Sequence, residues 1–116
     1  MAWHNEVAEL GCIVTGRPNP TLHHIHSGSV ARAGYVRGTS QRGVSDWLVI
    51  PLAAELHCAG QDAIDGSIGV STWEAKHGAQ LTHMDEVCRR TGNNAWDKAG
   101  FRRDPWRLDS SELTQD

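Results

Sequence analysis

Apolar residues recur at helical spacing in two parts of the chain. Near the N-terminus, Trp3 and Val7 follow this spacing and a glycine comes soon after, which predicts a short helix over residues 2–10. Residues 79–90 carry apolar side chains on one face and two arginines in the last turn, with Gly92 just beyond. This second pattern predicts an amphipathic helix that ends at the glycine.

Between these helices the pattern changes to short extended runs. Residues 21–26 follow a turn that contains one glycine and two prolines, and they predict a strand. Residues 27–43 are rich in glycine with little apolar periodicity, so they predict a long surface loop. The apolar run 47–50 predicts a buried strand that Pro51 ends, with a helix over the residues that follow.

Length and composition fit one small domain. The chain has 116 residues, of which 39% are hydrophobic and 22% charged, and its formal net charge is −3. We predict an α+β domain over residues 1–100 and a loosely held C-terminal tail over 101–116, where periodicity is lost. No run of 18 apolar residues occurs and the N-terminus lacks signal-peptide features, so a cytoplasmic protein without a membrane segment is expected.

The three cysteines, Cys12, Cys58 and Cys88, are odd in number and lack CxxC spacing. This usage argues against a disulfide framework and against a complete zinc knuckle formed by this chain alone. Buried thiols are the expected state.

The adjacent pair His23 and His24 is the strongest candidate for chemistry. Neighbouring residues of a strand point to opposite faces, so one imidazole can bind a metal ion while the other moves a proton. His57 follows the second predicted strand, at the end of a short helix. Two strands and a helix that converge on one divalent ion form a ββα-metal core, and such a centre suits phosphodiester hydrolysis. The alternative for His23 and His24 is a surface hairpin with two solvated imidazoles. The alternative for His57 is a histidine near a helix end that interacts favourably with the helix dipole.

Four segments, taken in order, resemble the HNH endonucleases, and within them the phage-type branch of recombination-enhancement nucleases. Residues 10–16 (LGCIVTG) are similar to the family's LGCxVC knuckle, and residues 22–25 (LHHI) to its HHI strand. Residues 50–57 (IPLAAELH) resemble its IPLCxxHH helix start, and residues 69–78 (GVSTWEAKHG) its GxxTWExxYG segment.

The resemblance implies roles for individual residues. It makes His23 and His57 ligands of Mg²⁺ or another divalent ion, and His24 the general base. Asp65 is a candidate third ligand, or a hydrogen-bond acceptor for one of the ligating histidines. The alternative is that Asp65 only forms a turn. Asp46 lies near the position of the family's asparagine, where it would orient His24.

The implied substrate is DNA, with a recombinase filament or another host protein as a further partner. Three arginines lie between the predicted strands, where they would contact phosphates or, alternatively, only solubilise the loop: Arg32, Arg37 and Arg42. The resemblance leaves the oligomeric state open.

The departures from the family pattern concern its structural zinc site. Of four expected ligand positions only Cys12 carries a thiol, while Thr15, Ala53 and Leu56 occupy the others, so structural zinc is not expected there. Two alternatives to the nuclease hypothesis follow. One is a catalytically silent relative that binds or inhibits a protein partner, and the other is a purely structural zinc site that joins the histidines to Cys12 or Cys58.

Overall fold

The computed structural model describes residues 2–26 and 44–106. Within these ranges the chain forms an α+β domain with five helices and one two-stranded antiparallel sheet. The elements are α1 (Ala2–Glu9), β1 (Thr21–His26), β2 (Val44–Leu52), α2 (Ala54–His57), α3 (Val70–His77), α4 (Gln80–Thr91) and α5 (Ala95–Lys98).

The two strands pair with a register that places His23 and His24 of β1 opposite buried residues of β2. His23 lies opposite Ile50 and His24 lies opposite Val49, and the register shifts between His24 and His26. Burial alternates along β1, since His23 and Ile25 are buried while His24 is partly exposed. The predicted separation of the adjacent histidines onto opposite faces is therefore present in the fold.

The prediction that Pro51 ends the second strand is wrong, because β2 continues to Leu52 and Pro51 pairs with Leu22. The Pro51 carbonyl accepts a hydrogen bond from the backbone N–H of Ile13, outside the sheet. The N and O atoms of a strand residue point to the same side, so the proline nitrogen also faces away from β1. In a two-stranded sheet this outer side requires no ladder donor, and proline is tolerated.

Helices on both sides of the sheet complete the core. Trp3 of α1 packs its ring 5.8 Å from that of Trp47 and donates its indole N–H to the Trp47 carbonyl at 3.0 Å. The largest fully buried side chains come from α1, both strands and the later helices, and include Val7, Trp73, Trp96, Ile25, Leu48, Ile50, Met84 and Val87. The short segments thus share one continuous apolar cluster.

The predicted N-terminal and amphipathic helices are confirmed as α1 and α4. Helix α4 ends at Gly92, whose φ of 73° lies in the left-handed region that glycine adopts without strain. Helix α5 has only four residues, too few to show a helical period. It is instead fixed by Asn94, whose side chain accepts a hydrogen bond from the Asp97 backbone.

Residues 101–106, the described part of the predicted tail, pack against the core. Phe101 is buried with its ring 6.2 Å from that of Trp96, and Arg103 forms an ion pair with Asp85 of α4. Residues 107–116 lie outside the described ranges. Among the described helices, none has the length and apolar character that a membrane crossing requires.

Candidate metal centre

Three side chains from separate elements meet at one point. His23 comes from β1, His57 is the last residue of α2, and Asp65 lies in the connection to α3. His57 Nε2 lies 3.0 Å from Asp65 Oδ2, and His23 Nδ1 lies 3.6 Å from Asp65 Oδ1. A ligand atom from each of the three lies within 4.8 Å of the others. We refer to these three residues as the His23 centre.

Backbone hydrogen bonds explain why Asp65 reaches this point. The connection after α2 folds back on the end of that helix, where the N–H of Ile64 bonds to the Leu56 carbonyl at 2.8 Å. The N–H of Asp65 bonds to the His57 carbonyl at 3.0 Å. The buried side chain of Ile64 anchors the turn. The carboxylate is thus held beside the histidine by the main chain.

Thr21 determines which nitrogen of His57 carries the proton. The Thr21 hydroxyl donates its only proton to the Leu52 carbonyl at 2.9 Å and lies 2.8 Å from His57 Nδ1. The hydroxyl must therefore accept from Nδ1–H. The Nε2 lone pair of the neutral ring then faces Asp65. Two acceptors at this distance repel each other unless a proton or a metal ion lies between them.

Gln80 determines which nitrogen of His23 carries the proton. Its Oε1 lies 2.7 Å from His23 Nε2, and its amide nitrogen and backbone N–H both point to the Glu74 carboxylate. The amide oxygen therefore accepts from His23 Nε2–H, which leaves the lone pair on Nδ1. Burial of the ring lowers the pKa of His23, and this outweighs the opposing effects of Gln80 and Asp65. His23 is thus favoured as a neutral imidazole, the form that binds metals.

The resulting donor set fits a divalent cation. With metal–ligand bonds of about 2.1 Å, neighbouring ligand atoms on one ion lie about 3.0–3.4 Å apart, close to the two measured separations. Two imidazoles and one carboxylate favour first-row transition ions such as Mn²⁺, Ni²⁺ or Zn²⁺ more than Mg²⁺, which prefers oxygen ligands. Asp65 is about half exposed, which leaves an approach from solvent.

His24 and Asp46 form a second pair on the opposite face of β1. His24 Nε2 lies 3.4 Å from Asp46 Oδ1, close enough for the carboxylate to interact with the ring. The His24 side chain is 33% exposed, so water and a substrate have access to it. His4 of α1 lies beside the pair, with its ring 5.7 Å from that of His24.

The structure thus brings together all five predicted residues with metal-binding or proton-transfer roles in two adjacent groups. The three predicted phosphate-binding arginines, Arg32, Arg37 and Arg42, lie outside the described residues. Sequence reasoning missed Thr21, Gln80 and His4. The first two are unremarkable polar residues whose importance depends on contacts across the fold. The sequence around His4 did not predict that α1 packs on β2, which is the contact that places His4 beside His24.

The four residues at the positions compared with the zinc ligands of the HNH family, Cys12, Thr15, Ala53 and Leu56, also lie close together. The Thr15 backbone N–H donates to Cys12 Sγ at 3.4 Å, and Ala53 and Leu56 are buried in the core. Burial alone would raise the pKa of the Cys12 thiol, but hydrogen bonds from Thr15 and the Ala53 backbone outweigh it and lower the pKa. Among the described residues, the two groups with metal-binding geometry contain histidine and aspartate and no cysteine.

Comparison with protein-family models, curated proteins and solved structures gives no match to this chain. The function is therefore inferred from the site geometry and from the sequence resemblance.

The hydrogen bond from His23 to Gln80 gives a direct test of the metal centre. We expect Gln80→Ala to weaken metal binding by about 10–100-fold, because the outer partner of a ligating histidine fixes its tautomer and orientation. Calorimetric titration with Mn²⁺ measures the change. Gln61→Ala, at an exposed glutamine, is the matched control and should bind as the wild type does. Equal affinities for all three proteins would contradict the role assigned to Gln80.

Proposed function

We propose that this chain is a metal-dependent endonuclease of the HNH type that hydrolyses DNA phosphodiester bonds. The single observation that carries the proposal is the His23 centre, with both ring tautomers set for metal binding, next in the chain to the His24–Asp46 pair. The chain order of two antiparallel strands followed by a helix that ends in His57 supports a ββα-metal core. The four sequence segments that resemble the family, two of which contain these histidines, add further support.

The metal centre alone is compatible with other chemistry, because two histidines and one carboxylate also hold iron in oxygenases. His24 favours hydrolysis. An imidazole titrates near neutral pH and is a common general base for the activation of water. The His24–Asp46 contact adds a carboxylate that fixes the orientation of this ring.

The proposed mechanism assigns metal binding to the His23 centre and proton transfer to His24, the next residue in the chain. It requires the attacking water to lie within hydrogen-bond reach of His24 while the phosphate contacts the ion. His23, His57 and Asp65 would hold the ion, which supplies positive charge for a phosphate oxygen and for the leaving oxygen. His24 takes the proton of the attacking water as the new phosphorus–oxygen bond forms and the bond to the leaving oxygen breaks. Asp46 stabilises the positive charge that develops on His24. The leaving oxygen takes its proton from solvent.

Metal dependence tests this proposal directly. We expect the purified chain to nick supercoiled plasmid or cut circular single-stranded DNA with Mn²⁺, Ni²⁺ or Mg²⁺, and EDTA to stop the reaction. His57→Ala should abolish cleavage because it removes a ligand, whereas His26→Ala, at an exposed histidine of the same strand, should not. Intact DNA under every ion, with and without a recombinase filament, would overturn the proposal.

A second candidate is a catalytically silent relative that binds a protein partner. The replacement of three of the four zinc-ligand positions favours this candidate, as does the net charge of −3, which gives no general attraction to DNA. This candidate predicts a complex with a host protein that persists in His24→Ala. A pull-down with the wild type and this variant, run beside the cleavage assay, separates the two functions.

A further inference from the structure

We propose that His4, His24 and Asp46 form a second metal site, separate from the His23 centre and selective for first-row transition ions. A nitrogen of each imidazole and a carboxylate oxygen of Asp46 all lie within 4.8 Å of one another. We call these three residues the outer site, because His24 and His23 lie on opposite faces of β1. Its donors repeat the two imidazoles and one carboxylate of the first centre.

The outer site is built by the packing of α1 against β2. Two consecutive side chains of α1 donate hydrogen bonds to two consecutive carbonyls of β2, Trp3 to Trp47 at 3.0 Å and His4 to Asp46 at 2.9 Å. The Trp3 side chain is buried and fixes the helix on the strand. In the neutral His4 ring, the second bond places the proton on Nε2 and leaves the lone pair on Nδ1. His4 is therefore tethered at the site before any ion binds.

The contacts of His24 also favour a bound cation. Its ring meets that of His4 edge to face, at 86° and 5.7 Å, and its Nε2 lies 3.4 Å from Asp46 Oδ1. The Asp46 side chain is 69% exposed, so it can move to metal-bonding distance at little cost. An ion can also enter the site from solvent. Imidazole ligands prefer Zn²⁺, Co²⁺, Ni²⁺ and Cu²⁺, whereas Mg²⁺ prefers sites built from oxygen.

The outer site shares His24 with the proposed reaction. An ion that takes a lone pair of this ring prevents the ring from accepting a proton, so an excess of Zn²⁺ should slow DNA cleavage. This consequence depends on the proposed nuclease function, but the existence of the outer site does not.

Co²⁺ binding tests the outer site without an activity assay, since bound Co²⁺ is counted by its visible absorption and by equilibrium dialysis. We expect two ions per wild-type chain and one per chain in each of His4→Ala, His24→Ala and Asp46→Asn. His57→Ala should also bind one ion, at the outer site, and the double variant His4→Ala/His57→Ala none. His26→Ala is the matched control on the same strand and should bind two.

The variants separate the possible failures. Two Co²⁺ ions retained in His4→Ala or in His24→Ala would overturn the outer site, as would a single ion in the wild type that only His57→Ala removes. Circular dichroism verifies that each variant is folded. If the outer site binds its ion and Zn²⁺ leaves cleavage unchanged, the outer site stands and the assignment of His24 as the base is overturned instead.

Discussion

Replacement of His24 by alanine should lower the rate of DNA cleavage by roughly 10²–10⁴-fold, the contribution typical of a positioned general base. His24 is the partly exposed imidazole that follows His23 in the chain, and its ring contacts the Asp46 carboxylate. The His23 centre does not include His24, so Mn²⁺ binding there should persist. Cleavage rates at a Mn²⁺ concentration that fills the His23 centre without an excess of the ion, together with calorimetric titration of the same preparations, measure both effects.

The controls for this prediction use other histidines. His57→Ala should lose Mn²⁺ binding at the His23 centre and cleavage together, because it removes a ligand of that centre. His26→Ala should change neither. Asp46→Asn keeps the shape of the side chain and removes its charge, so it should slow cleavage with a smaller effect than His24→Ala. Undiminished cleavage by His24→Ala would exclude this residue as the base, even if the metal centre is correct.

Removal of the Asp85 carboxylate should lower the free energy of unfolding by about 3–5 kcal/mol, the usual cost of breaking a buried ion pair. Asp85 accepts hydrogen bonds from the Trp96 indole at 2.8 Å and from Arg103 at 2.8 and 2.6 Å. Only 13% of its side chain is exposed. In Asp85→Ala, the Trp96 and Arg103 groups lose these bonds inside the core. Urea denaturation followed by tryptophan fluorescence measures the change.

The neighbouring residue provides a matched control. Glu86 pairs with Arg89 and Arg90 on the surface of the same helix. Glu86→Ala should cost about 1 kcal/mol or less, because exposed ion pairs contribute little to stability. Asp85→Asn keeps an acceptor for the Trp96 indole, so its loss of stability should lie between those of Asp85→Ala and Glu86→Ala. A small domain has about 5–15 kcal/mol of stability in all, so similar midpoints for Asp85→Ala and Glu86→Ala would rule out the proposed role of Asp85.

The sequence alone was sufficient for features that depend on short-range order. Periodicity predicted α1 and α4, because the side chains of one helix face are three or four residues apart. Alternation along β1 predicted that His23 and His24 face opposite sides. The order of the motifs singled out His23, His24 and His57 among the histidines. It also singled out Asp46, whose carboxylate lies 3.4 Å from the His24 ring.

Only the tertiary structure decided how these residues are held in place. Pro51 remains in β2 because its nitrogen faces the outer edge of the strand, where the sheet needs no N–H donor. Tolerance of the proline therefore depends on the position of the strand in the sheet and not on the residue type. Thr21 fixes the tautomer of His57, which lies 36 positions away in the chain. Gln80 fixes the tautomer of His23, which lies 57 positions away. His4 reaches the outer site only because α1 packs on β2. Local sequence patterns record spacing within an element, whereas the proton positions and ligand distances of a metal centre depend on contacts between elements distant in sequence.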